Sequence, residues 1–232
     1  MMVLGIDTTS AAASAALVQN GTLVAECYTN VGLQHSRTLM PMVQAMLAGC
    51  DLTLQQIDRF AVTVGPGSFT GVRIGVAAVK GMAAPRSVPC VGFSTLEALA
   101  YNLPAVDGVI CPAMDARCQQ VYNALFAWQN GAMVRLCEDR AIAVTDLLLQ
   151  LAAMDRPVHW LGDGACLCYN ALADKTGHVL APEVMRLQRA SRVALLGEQA
   201  GKTVTPEELA VSYLRPPQAV RMRAAASGTT EL

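Results

Sequence analysis

Charge is scarce in this chain. Of its 232 residues only 15% are Asp, Glu, Lys or Arg, against 53% hydrophobic. So apolar a composition points to surface that is covered by another chain. Basic residues number 17 and acidic ones 18, leaving a net charge of −1. No global basic field is therefore available to hold nucleic acid directly. Long hydrophobic runs are missing too, since glycine, polar or charged residues interrupt every apolar stretch before it reaches the length of a membrane span. Met1-Met2-Val3-Leu4-Gly5 carries no basic stretch and leads straight into a strand, which reads as a chain without a signal peptide. His35, His159 and His178 are dispersed, so no metal-ligand spacing occurs. The eight cysteines contain no C-x-x-C pair. They read as small core hydrophobes in a reducing cytoplasm rather than as a disulfide framework or zinc site.

What is present centres on Val62 to Gly75. Phe60 to Val64 is an apolar, β-branched run that reads as a buried strand. Gly65-Pro66-Gly67 stops it, because proline fixes φ and glycine reaches conformations other residues avoid. Ser68 or Thr70 then caps a helix running to about Ala84. A strand that ends in a glycine turn and opens a helix aims backbone N–H groups and a helix dipole at one point, which suits an anion. The Gly-Lys-Ser/Thr ending of a Walker loop is absent, as is the dinucleotide fingerprint. By itself the turn fits tight packing as well as ligand binding. The helix after it has almost no polar face, with only Arg73 and Lys80 charged. Such a helix is either fully buried or docked on a partner. Gly71 and Gly75, four residues apart, leave room for another backbone to approach.

The order of elements repeats. Val3 to Asp7 is a strand, Ala11 to Val18 a second, Asn20-Gly21 a hairpin turn and Thr22 to Tyr28 a third strand. Half a chain later Val109 to Met114 delivers Asp115, Val121 to Trp128 follows, Asn130-Gly131 turns, and Met133 to Leu136 returns. The residues barely match, so the duplication is one of structure. A helix with the stripe Leu39, Met42, Val43, Met46 and Leu47 precedes the central strand. Pro89 to Phe93 is a strand, and Ser94 or Thr95 caps a helix through Leu103. Helices at Thr145 to Met154, Ala165 to Asp174 and Ser191 to Ala200 and a short one at Pro206 to Ala210 complete the chain. The expected architecture is α/β, two duplicated lobes with mixed sheets flanked by helices. Residues 1–105 form the N-terminal lobe. Residues 106–220 form the C-terminal lobe, whose last helix is free to pack back on the first. The tail 221–232 is expected to be disordered. The cleft between lobes is the default ligand site.

Two meander lobes, each with an Asp after its first strand, resemble the actin, Hsp70 and sugar-kinase superfold, which is ribonuclease H-like. More narrowly, Gly5-Ile6-Asp7-Thr8-Thr9, His35-Ser36, the stretch Gly65 to Gly75, Gly92-Phe93-Ser94-Thr95-Leu96, Asp115-Ala116-Arg117 and Tyr213-Leu214-Arg215 are similar to the TsaB (YeaZ) family of glycoprotease-like proteins. The resemblance implies a bacterial cytoplasmic subunit of the machinery forming N6-threonylcarbamoyladenosine in tRNA. Its implied partners are a TsaD homologue in a heterodimer and the ATPase TsaE, with a homodimer when alone and tRNA reached only through the complex.

The resemblance also implies what the site holds. TsaD-like enzymes carry His-His-x-Glu-x-His after the strand that follows the glycine turn, and the ligand positions here are Thr95 and Leu99. Leucine cannot bind a metal and a lone threonine is a poor ligand. No catalytic residue and no metal site are therefore expected, and no tightly bound cofactor. ATP or ADP at the subunit boundary stays open, with Asp7, Thr8, Thr9, Gly65, Gly67, Ser68 and Asp115 as the candidate phosphate-binding residues. The candidate partner surface is Leu39, Met42, Val43, Met46, Gly71, Val72, Gly75, Val76 and Val79. Two rival readings are an autonomous ATP-dependent phosphotransferase of the same superfold, using Asp7 and Asp115 with Mg²⁺, and a metalloprotease.

Overall fold

A computed structural model describes residues 1–32 and 34–215; the tail 221–232 lies outside the described residues. Strands β1 (Met2–Asp7), β2 (Ala13–Gln19) and β3 (Thr22–Thr29) form an antiparallel meander. Asn20 and Gly21 turn β2 into β3 with φ of 51° and 74°, the left-handed geometry a two-residue hairpin requires. Helix α1 (His35–Gly49) crosses to β4 (Arg59–Gly65), which lies parallel to β1. Helix α2 (Phe69–Ala83) crosses to β5 (Cys90–Ser94), parallel to β4, and α3 (Thr95–Ala100) follows at once.

The second half repeats the plan. Strands β6 (Val109–Asp115), β7 (Gln120–Gln129) and β8 (Ala132–Ala143) form the meander. Helix α4 (Val144–Ala152), β9 (Val158–Leu161), α5 (Ala165–Ala171) and β10 (His178–Leu180) follow, with β9 parallel to β6 and β10 parallel to β9. The sheet orders are β3-β2-β1-β4-β5 and β8-β7-β6-β9-β10, the same arrangement twice. This is the duplicated two-lobe fold of the actin and Hsp70 type. Helices α6 (Glu183–Arg186) and α7 (Ala190–Gln199) close the chain's helical part.

Both faces of the first sheet are covered, and alternation along β1 shows how. Leu4 and Ile6 pack with Leu39, Val43, Val72, Val76 and Val79 of α1 and α2. Val3 points the other way, into a cluster with Val193 and Ala194 of α7. Gly5 lets α7 come close: a Cβ there would lie 2.5 Å from Ala190 O and 2.8 Å from Ala194 Cβ. The second sheet buries Cys111, Trp160 and Val121 against α4 and α5. Its other face takes Leu96, Leu99 and Leu103, from α3 and the loop after it, against Ile110, Met114 and Phe126. Among the cysteines, burial pushes the Cys90 thiol up to about 11 and the Cys168 thiol up to about 12, so both stay protonated and inert.

Three expectations differ from the structure. Pro206 to Ala210 is a single hydrogen-bonded turn, not a helix. Thr205 and Glu208 bond each other as a capping pair, but Leu209 drops into the core and ends the turn. Strand β8 continues seven residues past Leu136, to Ala143. Its charged run Glu138-Asp139-Arg140 broke the apolar pattern, yet it lies on an edge strand that accommodates charge: Glu138 is exposed, Arg135 bridges Asp139, and Arg140 donates to Asn123 Oδ1 at 3.1 Å.

The third difference concerns the partner surface. Leu39, Met42, Val43 and Met46 of α1, and Gly71, Val72, Gly75, Val76 and Val79 of α2, are all buried within this chain, with Val76 only 5% exposed. They face the sheet, because an apolar stripe on a helix is first claimed by the nearest apolar surface, here Leu4, Ile6 and Val62. They are therefore not the centre of a docking surface. Gly71 and Gly75 do admit a close neighbour, but it is Thr8 of the same chain.

Candidate functional site

A cleft of about 500 Å³ opens between the lobes. It is lined by the turn after β1 (Thr9, Ser10), the glycine turn after β4 (Pro66, Gly67, Ser68), the turn after β6 (Asp115, Arg117) and Asp163 after β9, with Tyr213 and Arg215 closing over it. Each wall is a loop at the C-terminal end of a parallel strand, where the duplicated sheets leave a crevice.

Of the seven candidate phosphate-binding residues, Thr9, Gly67, Ser68 and Asp115 line this cleft, and Asp7, Thr8 and Gly65 do not. Asp7 is 1% exposed. Its carboxylate accepts hydrogen bonds from Thr63 Oγ1, from the Thr9 N–H at 3.1 Å and from Thr9 Oγ1 at 3.0 Å. Thr8 turns inward, its hydroxyl donating to Gly71 O at 2.8 Å. Gly65, with φ of 124°, lies under the backbone of Ser212, whose N–H donates to Val64 O at 2.8 Å.

The glycine turn is itself tied to β1's turn. The Ser68 N–H donates to Thr9 O at 2.7 Å, and the Gly71 N–H is capped by Ser68 Oγ at 3.2 Å. Gly67 has φ of 156° and would bring a Cβ to 2.5 Å from Thr9 O. Two of the N–H groups that an anion would use are thus already bonded within the chain. Tyr213 stacks on Phe69 with ring centroids 4.7 Å apart, and Arg73 lies 3.8 Å above the Phe69 ring while donating to the Tyr213 hydroxyl at 2.6 Å. The C-terminal segment is held over the turn by that stack.

Across the cleft, the Asp115 N–H donates to Asp163 Oδ1 at 3.0 Å, and Arg117 returns to Asp115 through its N–H at 2.8 Å and its guanidinium at 3.3 Å. Burial raises the Asp163 carboxyl, opposed by the Asp115 N–H. Among the described residues no group of three or more His, Cys, Asp or Glu is placed to share a metal. Thr95 and Leu99 both lie fully buried on α3, one turn apart, facing away from this cleft into the packed interior. In the sequence Gly162-Asp163-Gly164 reads as a strand-to-helix turn that either faces a ligand or merely turns. The duplication gives the better signal, because β9 occupies in its sheet the place of β4, so its following turn must face the same crevice.

Asp7 has a measurable consequence. Burial raises its carboxyl above the ordinary 3.8, with the bonds from Thr63 and Thr9 opposing. A carboxyl raised in the folded state adds stability that is complete below its unfolded value and is lost as pH rises through its folded value. Asp7→Asn keeps the shape and hydrogen-bond partners without the buried charge. The variant is expected to melt above the parent at pH 7, with the gap narrowing toward about pH 4. Thermal melts across that range check it; a gap that widens toward acid would overturn the assignment.

The chain matches a family model described as TsaD, tRNA N6-adenosine threonylcarbamoyltransferase, over residues 29–220. It is 35% identical over 217 residues to the tRNA threonylcarbamoyladenosine biosynthesis protein TsaB of Bacillus subtilis (strain 168), covering 93% of this chain and 94% of that protein. It is 31% identical over 225 residues to TsaB of Escherichia coli (strain K12), covering 93% and 95%. Among solved structures, a Pseudomonas aeruginosa protein described as similar to the peptidase YEAZ superposes with a TM-score of 0.79 at 26% identity, covering 92% of this chain and 99% of that one.

Proposed function

The chain belongs to the TsaB (YeaZ) family and has a place in tRNA threonylcarbamoyladenosine biosynthesis, and we propose that there it is a non-catalytic partner subunit, dimerising with a TsaD homologue and acting with the ATPase TsaE. One observation carries the non-catalytic reading. The two positions at which TsaD-like enzymes are expected to hold a metal are Thr95 and Leu99; both are fully buried, and Leu99 sits in an apolar cluster. A cation there would lose its water without gaining ligands. The state of Asp7 agrees, since its oxygens are engaged by Thr9 and Thr63 rather than offered to the cleft.

The docking surface that fits this role is the outward side of α1 and α2. Pro41, Gln44, Ala45 and Ala48 of α1 and Ala77 and Gly81 of α2 are exposed, flanked by half-buried Met40, Ile74, Ala78 and Met82. Nothing lies within 4 Å of where a Cβ on Gly81 would stand. Small residues on paired helices let a second helix pair approach closely, and methionines adapt to its contour. The same face serves a homodimer when no TsaD is present. Nucleotide, if held, sits at that subunit boundary, and tRNA is reached through the complex.

The test is co-purification. Tagged chain expressed with the TsaD homologue of its own cell is expected to retain it at one-to-one stoichiometry; failure to retain it sinks the proposal. For the isolated chain, elemental analysis is expected to find no stoichiometric zinc or iron. ATP turnover is expected far below the usual enzymatic range of about 1 per second or more. A turnover in that range that Asp7→Ala abolished would instead establish the phosphotransferase.

A further inference from the structure

Away from the glycine-turn cleft, a separate cavity of about 450 Å³ opens where α7 meets the β7–β8 hairpin and the residue after α3. Tyr101 and Trp128 form its aromatic wall, ring centroids 6.0 Å apart and inclined at 79°. Met133, Leu195 and Leu196 supply apolar contact, and Gly131 and Ala132 take up little room. Arg192 brings the one formal charge to the lining, which holds no Asp or Glu. Its guanidinium takes part in no ion pair among the described residues. The size falls in the range of small-molecule sites, roughly 300–1,000 Å³.

We propose that this cavity binds a small aromatic anion, its flat ring against Tyr101 and Trp128 and its anionic group on Arg192. Two aromatic side chains set at an angle offer both a face and an edge to a third ring. A guanidinium without a carboxylate partner favours an anion, carboxylate or phosphate, and binds either through two parallel N–H bonds. The apolar walls disfavour an aliphatic polyanion, and the absence of lining acids disfavours a cation. The site shares no residue with the inter-lobe cleft and does not depend on the docking face of α1 and α2.

The chain has two tryptophans, which makes the test direct. The indole N–H of Trp160 donates to His178 Nδ1 at 3.1 Å in the core, whereas that of Trp128 has no acceptor. The two give separate signals in a nitrogen-15 correlation spectrum, assigned with Trp128→Phe. Titration with 2-naphthoate and with 2-naphthyl phosphate is expected to move the Trp128 signal and leave the Trp160 signal in place. The tighter of the two identifies the anion. Neutral 2-naphthol is expected to bind at least about tenfold more weakly, and Arg192→Gln to weaken the anions by a similar factor while Arg192→Lys retains part of the affinity. An unmoved Trp160 signal in each variant verifies that it is folded. The proposal is overturned if neither anion moves the Trp128 signal at millimolar concentration, or if naphthol binds as tightly as naphthoate. The naphthol comparison uses the unaltered chain, so it holds even if a variant fails to fold.

Discussion

Val76→Glu is expected to destabilise the chain strongly, whereas Ala77→Glu, one residue on, is expected to leave it folded and to abolish partner binding. Val76 is 5% exposed and packs with Leu4, Ile6 and Val62 under α2. A carboxylate placed there has no cation and no donor, a cost on the order of 3–5 kcal/mol. Against a typical total stability of about 5–15 kcal/mol, that removes a large share and lowers the melting point by roughly 10 °C or more. Ala77 turns outward, so its carboxylate stays in water in the free chain. It becomes a buried, unpaired charge only when a second helix pair covers the α1–α2 face. Circular dichroism melts, light scattering and retention of the TsaD homologue on a column separate the cases. A Val76→Glu chain that melts near the parent would show that α2 is not packed as described. An Ala77→Glu chain that binds TsaD normally would place the docking surface elsewhere.

Gly71→Ala is expected to destabilise the chain by about 2–4 kcal/mol, although alanine is the better helix former. On propensity alone the change gains about 1 kcal/mol. The added Cβ, however, would stand well inside contact distance of Thr8 O. That oxygen is backbone, in a residue whose hydroxyl is bonded to Gly71 O at 2.8 Å, so neither side can yield without breaking the link between the two turns. Gly81→Ala is the control in the same helix. Nothing lies within 4 Å of its Cβ position, so it should gain up to about 1 kcal/mol. The expected melting shifts are downward by roughly 5–12 °C for Gly71→Ala and upward by a few degrees for Gly81→Ala. Equal shifts for the two would mean that Gly71 is not a packing residue.

The sequence by itself determined the repeated meanders, because the apolar strands and the two Asn-Gly turns are local signals that need no distant partner. It also determined that the turn after β4 opens a helix with Ser68 or Thr70 at its start; the structure puts the cap on Ser68. Which side of that helix meets the sheet was not local. The stripe on α1 and the nearly uniform apolar surface of α2 fit a core or a partner equally, and only the arrival of Leu4 and Ile6 from β1 assigned the inward faces. The same holds for Asp7. Its position after a strand suits a phosphate site, but Thr63 and Thr9, one of them on another strand, close around it. The start of α7 has no cap of its own: Arg189 makes no capping bond, and the free N–H groups of Ala190 and Ser191 are taken by Ser14 Oγ at 2.9 Å and Glu26 Oε1 at 3.1 Å, from the first lobe. Hydrogen-bonding capacity and apolar surface are properties of a residue and can be read along the chain. Which group satisfies them depends on strands brought together from far apart, and that was settled only when the two sheets and α7 packed.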